Sequence, residues 1–220
     1  MWPEAAIVDP SLSASCPREV TRNSALDALS HSLEALWNVN HNPISDVLAV
    51  AAAKGIMTHL PTILSQDERD GSDCDREIVQ ARIGLSTASL RAGLAFSNTE
   101  TALAHAISYQ ITIDQGVKHG AACSFSLPRV MQMALGQQDP SRDALLHDIF
   151  SDLKAADALA GRSVKQPYEY LERFLNEEAG VSTALEDYGI AGEKDFSERV
   201  REALWHRRGK NFLLAAHLKR

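Results

Sequence analysis

The chain has 220 residues, 45% of them hydrophobic and 23% charged, which is enough apolar material for one large domain around a buried core. A formal net charge of −7, with no Lys/Arg cluster standing out except Arg207, Arg208 and Lys210, argues against a nucleic-acid-binding surface. Cys16, Cys74 and Cys123, an odd number at wide spacing, form neither a disulfide framework nor a zinc knuckle. With no secretory leader pattern and no run of about eighteen uninterrupted apolar residues, the expectation is a cytoplasmic protein with no membrane partner.

Pro3, Pro10 and Pro17 prevent one long helix at the start, so residues 1–22 read as an extended lead-in. From Asn23 onward Leu26, Leu29, Leu33, Leu36 and Trp37 recur at helical spacing, with Ser24 available to cap. Asn42–Pro43 is a cap followed by a first-turn proline and opens an Ala-rich helix that should stop near Pro61. The polar stretch Ser65 to Asp75 reads as a loop, followed by two helices, REIVQARIGLSTASLRAGLAF and TETALAHAISYQIT. The connection DQGVKHG leads into AACSFSLPRVMQMAL, helical with a break at Pro128, and shorter amphipathic helices fill Asp139 to Arg220. Nothing alternates at period two, so residues 23–220 are expected to form an all-α helical bundle. Neither G-x-G-x-x-G nor a P-loop is present, so this chain does not supply a dinucleotide site by itself.

Asp27 and His31 lie one helical turn apart, placing a carboxylate and an imidazole side by side where they can grip a cation. The same pair is also met as an ordinary helix-surface contact. His105 sits in the apolar helix segment LAHAISYQI, where an unpartnered imidazole carries a desolvation cost, and a hydrogen-bonded core histidine is the alternative reading. His119 precedes Gly120 and two alanines, which lets the backbone approach another group; a turn-capping role is the alternative. Together one carboxylate and three imidazoles suit Fe(II) or Zn(II). Glu34, one turn beyond His31, could orient that imidazole or simply be solvated. His41, His59, His147, His206 and His217 read as surface or capping groups.

Read in order, the segments AAIVDPSL, DALSHSLEAL, RAGLAFSN, LAHAIS and KHGAACSFSLP resemble the helical C-terminal domain of the iron-containing alcohol dehydrogenase family. The resemblance implies that Asp27, His31, His105 and His119 bind the metal, Fe2+ or Zn2+. It also implies that a hydride passes between NAD or NADP and a carbonyl carbon, while the metal polarises the oxygen of a small aldehyde or alcohol. Tyr109 stands where many members have a second histidine, which puts a relay through that histidine in doubt and leaves Tyr109 as the catalytic candidate. HAISYQIT and HGAACSFSLP resemble most the phosphonoacetaldehyde reductase branch. A phosphonate would call for cations, and Arg91, Lys118 and Arg129 are the candidates by sequence closeness alone, each more readily read as an ordinary surface or ion-pairing residue.

Members of that family begin with an α/β nucleotide-binding domain, which is missing ahead of AAIVDP. The implied expectation is a metal-binding oxidoreductase domain, inactive alone, that forms homo-oligomers through surface left exposed. The competing readings are a catalytically silent metal-binding or interaction module, and a purely structural bundle.

Overall fold

The computed structural model describes residues 4–65, 76–137, 139–159 and 166–218. At its centre runs helix α1 (Arg18–Leu36), which buries Leu26, Leu29, Leu33, Ala35 and Leu36 completely and with them the polar side chains of Ser30, Ser32 and Glu34. The Ser30 and Ser32 hydroxyls of this helix donate to the Leu26 and Ala28 carbonyls at 2.9 and 2.8 Å, leaving no buried hydroxyl unpaired there. The helix begins at Arg18, five residues before the start expected at Asn23. Pro17 supplies a fixed φ of −57° and a carbonyl that accepts from Thr21 N, and Glu19 in the first turn complements the helix dipole.

Helix α2 (Pro43–Ser65) starts where the Asn42–Pro43 pair indicates, with Asn42 Oδ1 accepting from the amides of Ile44 and Ser45 at 3.1 Å. It does not stop at Pro61, which lies inside it. The lost amide removes one hydrogen bond, and the fully buried Leu60 and Ile63 on either side hold the last turn in place. By length and composition α2 could cross a membrane, but its buried alanines pack on α1 and on α3 (Arg76–Thr99). The expected loop spanning residues 66–75 lies outside the described residues.

Helix α4 (Leu103–Gln115) begins four residues later than TETALAHAISYQIT implies. Between α3 and α4 the chain turns through Glu100, whose φ of 63° is left-handed. Three asparagine side chains hold this turn: Asn40 donates to the Thr99 carbonyl, Asn38 to Glu100 and Asn211 to Thr101, at 3.3, 3.2 and 2.9 Å. The break expected at Pro128 falls just ahead of it, because α5 (His119–Ser124) ends and Pro128 sits in the first turn of α6 (Leu127–Ala134). SRDALLHDIFSDLKAADAL divides at Phe150 into α7 (Pro140–Ile149) and α8 (Ser151–Leu159). Then come α9 (Pro167–Arg173), a π-helical turn Phe174–Glu178, α10 (Glu193–Trp205) and the short α11 (Ala215–Leu218).

The fold is all-α: among the described residues the only β pairing is the single bridge Asn38–Phe212. That bridge ties the C-terminal segment to the end of α1, beside the fully buried Trp37. His41 is not a plain surface group, since Nδ1 faces Asp46 at 3.1 Å and Nε2 accepts from Arg142 at 2.9 Å. His59 packs on Gly84 between α2 and α3.

Candidate metal centre

Three helices deliver the site. Asp27, His31 and Glu34 project from one face of α1; His105 lies in the first turn of α4; His119 opens α5. Helix α5 can lie against α1 because residue 120 is glycine. A Cβ there would overlap the Asn23 carbonyl, one turn before Asp27.

The three histidines converge on a single atom. Asp27 Oδ1 stands 3.2 Å from His105 Nε2, 3.4 Å from His119 Nε2 and 3.7 Å from His31 Nε2. Four ligand atoms about 2.0–2.1 Å from one metal at tetrahedral angles would be separated by roughly 3.3 Å, a separation that the three distances from Asp27 Oδ1 bracket. The donor atoms that lie within 4.8 Å of one another are those of Asp27, His105, His119 and Cys123, a group that leaves out His31, the most distant of the three imidazoles from Asp27 Oδ1. The rings are braced by their neighbours: His31 stacks on His105 at 4.8 Å and on Phe96 at 4.2 Å, and His119 meets His105 edge-on at 5.5 Å.

Behind His105 lies Glu34, fully buried. Its carboxylate accepts from His105 Nδ1 at 2.6 Å, from the backbone amides of Ala102 and Ala104 at 2.9 and 2.5 Å, and from that of His105 at 3.2 Å. It therefore caps α4 from another helix, where Ala102 has no capping side chain. It also fixes the proton of His105 on Nδ1 and aims Nε2 at Asp27, the carboxylate–histidine arrangement typical of metal ligands. Glu34 thus orients His105, not His31 as its spacing on α1 indicated, because its side chain reaches across to the start of α4.

The electrostatics follow from this geometry. Burial opposes the charged form of His105, but Glu34, Asp27 and Cys123 outweigh it and push the imidazole up to about 12. Burial dominates at His31 and holds it down at about 4. Burial likewise opposes ionisation of Asp27 and Glu34, yet the surrounding imidazoles, and for Glu34 the α4 amides, keep both carboxyls below the usual range. The metal-free site is therefore a pair of carboxylates sharing the charge of His105.

Cys123, one turn beyond His119 on α5, is buried with Sγ 3.4 Å from His119 Nε2. Its thiol groups with the donor atoms of Asp27, His105 and His119, all within 4.8 Å of one another. Sequence reading counted Cys123 only as one of three scattered cysteines; the i, i+4 spacing from His119 was the available signal. Tyr109 stands one turn beyond His105, with the His206 ring 5.5 Å away and the Arg208 guanidinium 5.2 Å above its own ring. Of the cations proposed for a phosphonate, Arg91 and Lys118 are exposed, and Arg129 is engaged with Glu193 at 3.1 Å and the Thr183 carbonyl at 2.9 Å. A cleft of about 500 Å³ opens at His31 instead beside Arg207 and Arg208, which sequence closeness could not indicate.

Comparison with known proteins decides the family. The profile described as "Fe-containing alcohol dehydrogenase family, C-terminal" matches residues 21–215. The chain belongs to the iron-containing alcohol dehydrogenase family. Long-chain-alcohol dehydrogenase 1 of Geobacillus thermodenitrificans is 36% identical over 190 residues, covering 85% of this chain and 44% of that protein. The 1-propanol dehydrogenase PduQ of Salmonella typhimurium is 32% identical over 203 residues, covering 91% and 51%. Among solved structures, sulfoacetaldehyde reductase from Bifidobacterium kashiwanohense in complex with NAD+ superposes with a TM-score of 0.72 at 26% identity, covering 99% of this chain and 54% of that one. The chain spans about half the length of these relatives.

Proposed function

We propose that this chain is the metal-binding part of an NAD(P)-dependent alcohol dehydrogenase or aldehyde reductase, with Asp27, His31, His105 and His119 holding Fe2+ or Zn2+. The observation that carries this reading is the convergence of three imidazole Nε2 atoms on Asp27 Oδ1 at 3.2–3.7 Å. The donor set fits such an ion: one carboxylate oxygen and three imidazoles, one of them with its tautomer locked by Glu34. A cation bound there supplies Lewis-acid polarisation of a carbonyl oxygen, which favours hydride delivery to the carbon.

The chain's own residues do the positioning. Glu34 keeps His105 Nε2 free of its proton once the cation is bound, and Phe96 stacks on His31 to fix that ring at the cleft wall. Tyr109 takes the place of the relay histidine of other members and presents a hydroxyl one turn beyond His105.

The substrate class is a small aldehyde or its alcohol, with phosphonoacetaldehyde the specific member we favour. Support comes from the HAISYQIT and HGAACSFSLP strings and from the fold likeness to a reductase named for sulfoacetaldehyde, another aldehyde that carries an acid group. The free thiols of Cys16 and Cys123 favour a cytoplasmic setting.

Substituting Co(II) into the chain tests the reading. The d–d bands should have the intensity of a four- or five-coordinate centre and should shift when propan-1-ol is added. A six-coordinate spectrum indifferent to alcohol would refute an open, polarising position.

A further inference from the structure

Arg207 and Arg208, adjacent in the sequence, take no part in the metal centre, yet the fold brings both to the cleft that opens at His31. Phe96, Ser97, Thr101 and the carboxylate-bearing Glu100 form the rest of its wall. His31 belongs to both places, being a wall of the cleft and 3.7 Å from Asp27 Oδ1. A molecule in the cleft therefore lies against the metal centre.

The two arginines are held by backbone. Their segment runs into the 3₁₀ turn Gly209–Asn211, where a Cβ on Gly209 would overlap the Ala203 carbonyl. Beyond the turn, Val39 N donates to the Asn211 carbonyl at 2.8 Å, Leu213 N to the Trp37 carbonyl at 3.1 Å, and the Asn211 side chain to Thr101 at 2.9 Å. The last bond fastens the arginine segment to the same turn that leads to His105.

Neither guanidinium is neutralised firmly. Arg208 lies over the Tyr109 ring at 5.2 Å, and among the described residues no carboxylate pairs with it. Arg207 meets Glu100 at 3.0 Å, but the two side chains are 81% and 54% exposed, so the pair is screened and open to exchange. Two forked donor groups facing one cleft, in a chain of net charge −7, suit a planar or tetrahedral oxyanion.

We propose that Arg207 and Arg208 form an anion subsite that holds the acid group of a small aldehyde or alcohol substrate, its oxygen-bearing end directed past His31 to the metal centre. Phosphonate, sulfonate and carboxylate share the required chemistry. The substrate orientation rests on the proposed function; the anion site itself does not. Arg207 and Arg208 are then the specificity-determining residues that separate acidic aldehydes from the plain alcohols named for other members of the family.

Isothermal titration calorimetry on the full chain, metal-free and Zn2+-loaded, tests this with 2-hydroxyethylphosphonate, 2-hydroxyethanesulfonate, 3-hydroxypropanoate and propan-1-ol. Removing one charge-assisted, bidentate contact by Arg207→Gln or Arg208→Gln should weaken the best acid ligand about tenfold or more. Propan-1-ol should bind as before, and Arg91→Gln and Lys118→Gln should change nothing. Glu100→Gln, which frees Arg207 from its competitor, should tighten the acid ligand. Metal content and melting temperature recorded for each variant show that the centre and the fold survive. Which acid binds tightest identifies the substrate's acid group. The proposal is overturned if no acid binds the metal-free or the loaded chain, or if acid binding persists undiminished in the Arg207→Gln, Arg208→Gln double variant. Loss of metal from the wild type with acid binding intact would sink the proposed function and leave the anion site standing.

Discussion

Glu34→Gln is the substitution whose outcome the geometry determines most sharply. The carboxylate is fully buried and accepts four hydrogen bonds, one from the His105 imidazole and three from backbone amides at the start of α4. Glutamine keeps one oxygen and turns an NH2 group toward donors that need an acceptor. Removing one partner of a buried, hydrogen-bonded charge pair costs about 3–5 kcal/mol, because the other charge is left without compensation. For a chain of this size, roughly 2–4 °C per kcal/mol turns that into a fall in Tm on the order of 10 °C. Loss of the group that orients a ligand histidine should also weaken metal binding about 10- to 100-fold. Urea unfolding of the chelator-treated protein measures the first effect and a competitive metal titration the second. Glu186→Gln, at an exposed position, serves as the control and should stay within about 0.5 kcal/mol. A loss of under about 1 kcal/mol with metal affinity unchanged would refute the dual role assigned to Glu34.

The metal-free chain should lose stability in acid through His31. Its folded pKa is about 4 against 6.5 unfolded, so the unfolded state takes up a proton first and stability falls as pH drops from 6.5 toward 4. The difference corresponds to about 3 kcal/mol, which His31→Gln should remove from the pH profile of the urea midpoint; identical profiles would contradict the assignment. His105, pushed up to about 12, is protonated at pH 7 without metal, so binding through Nε2 must expel a proton. Calorimetry in buffers of different ionisation enthalpy should find at least one proton released, and none would mean that His105 is not a ligand. Gly120→Ala should destabilise the chain by about 1–3 kcal/mol, because its methyl group enters the Asn23 carbonyl, whereas Gly93→Ala, with open space at the same point, should not. Gel filtration over a concentration series should show self-association, and a monomer throughout would argue against a homo-oligomer.

The helical class and the order of the main helices could be read from sequence because Leu26, Leu29, Leu33 and Leu36 carry the period directly, and Asn42–Pro43 marks a start by local chemistry alone. What escaped depended on contacts between distant segments. Nothing near Thr99 announces that three asparagines, two of them some 60 residues earlier and one about 110 later, will hold a turn there and delay α4. Pro61 breaks the local rule because buried neighbours override it. At the site, the four candidate ligands were legible through family resemblance, not through spacing. The partner of Glu34, the approach of Cys123 and the place of Arg207 and Arg208 were not legible, since each is fixed by how α4, α5 and the C-terminal segment pack against α1. Arg129 shows the converse, a cation near the ligand segments in sequence that the fold uses for an ion pair with Glu193.

The central claim is that Asp27, His31, His105 and His119 make one metal site, and elemental analysis of protein purified without chelators tests it most directly. The account predicts close to one iron or zinc per chain, lost in a His105→Ala, His119→Ala double variant whose helical circular dichroism is retained. A well-folded wild-type chain that holds no metal, or a double variant that keeps it, would contradict the account.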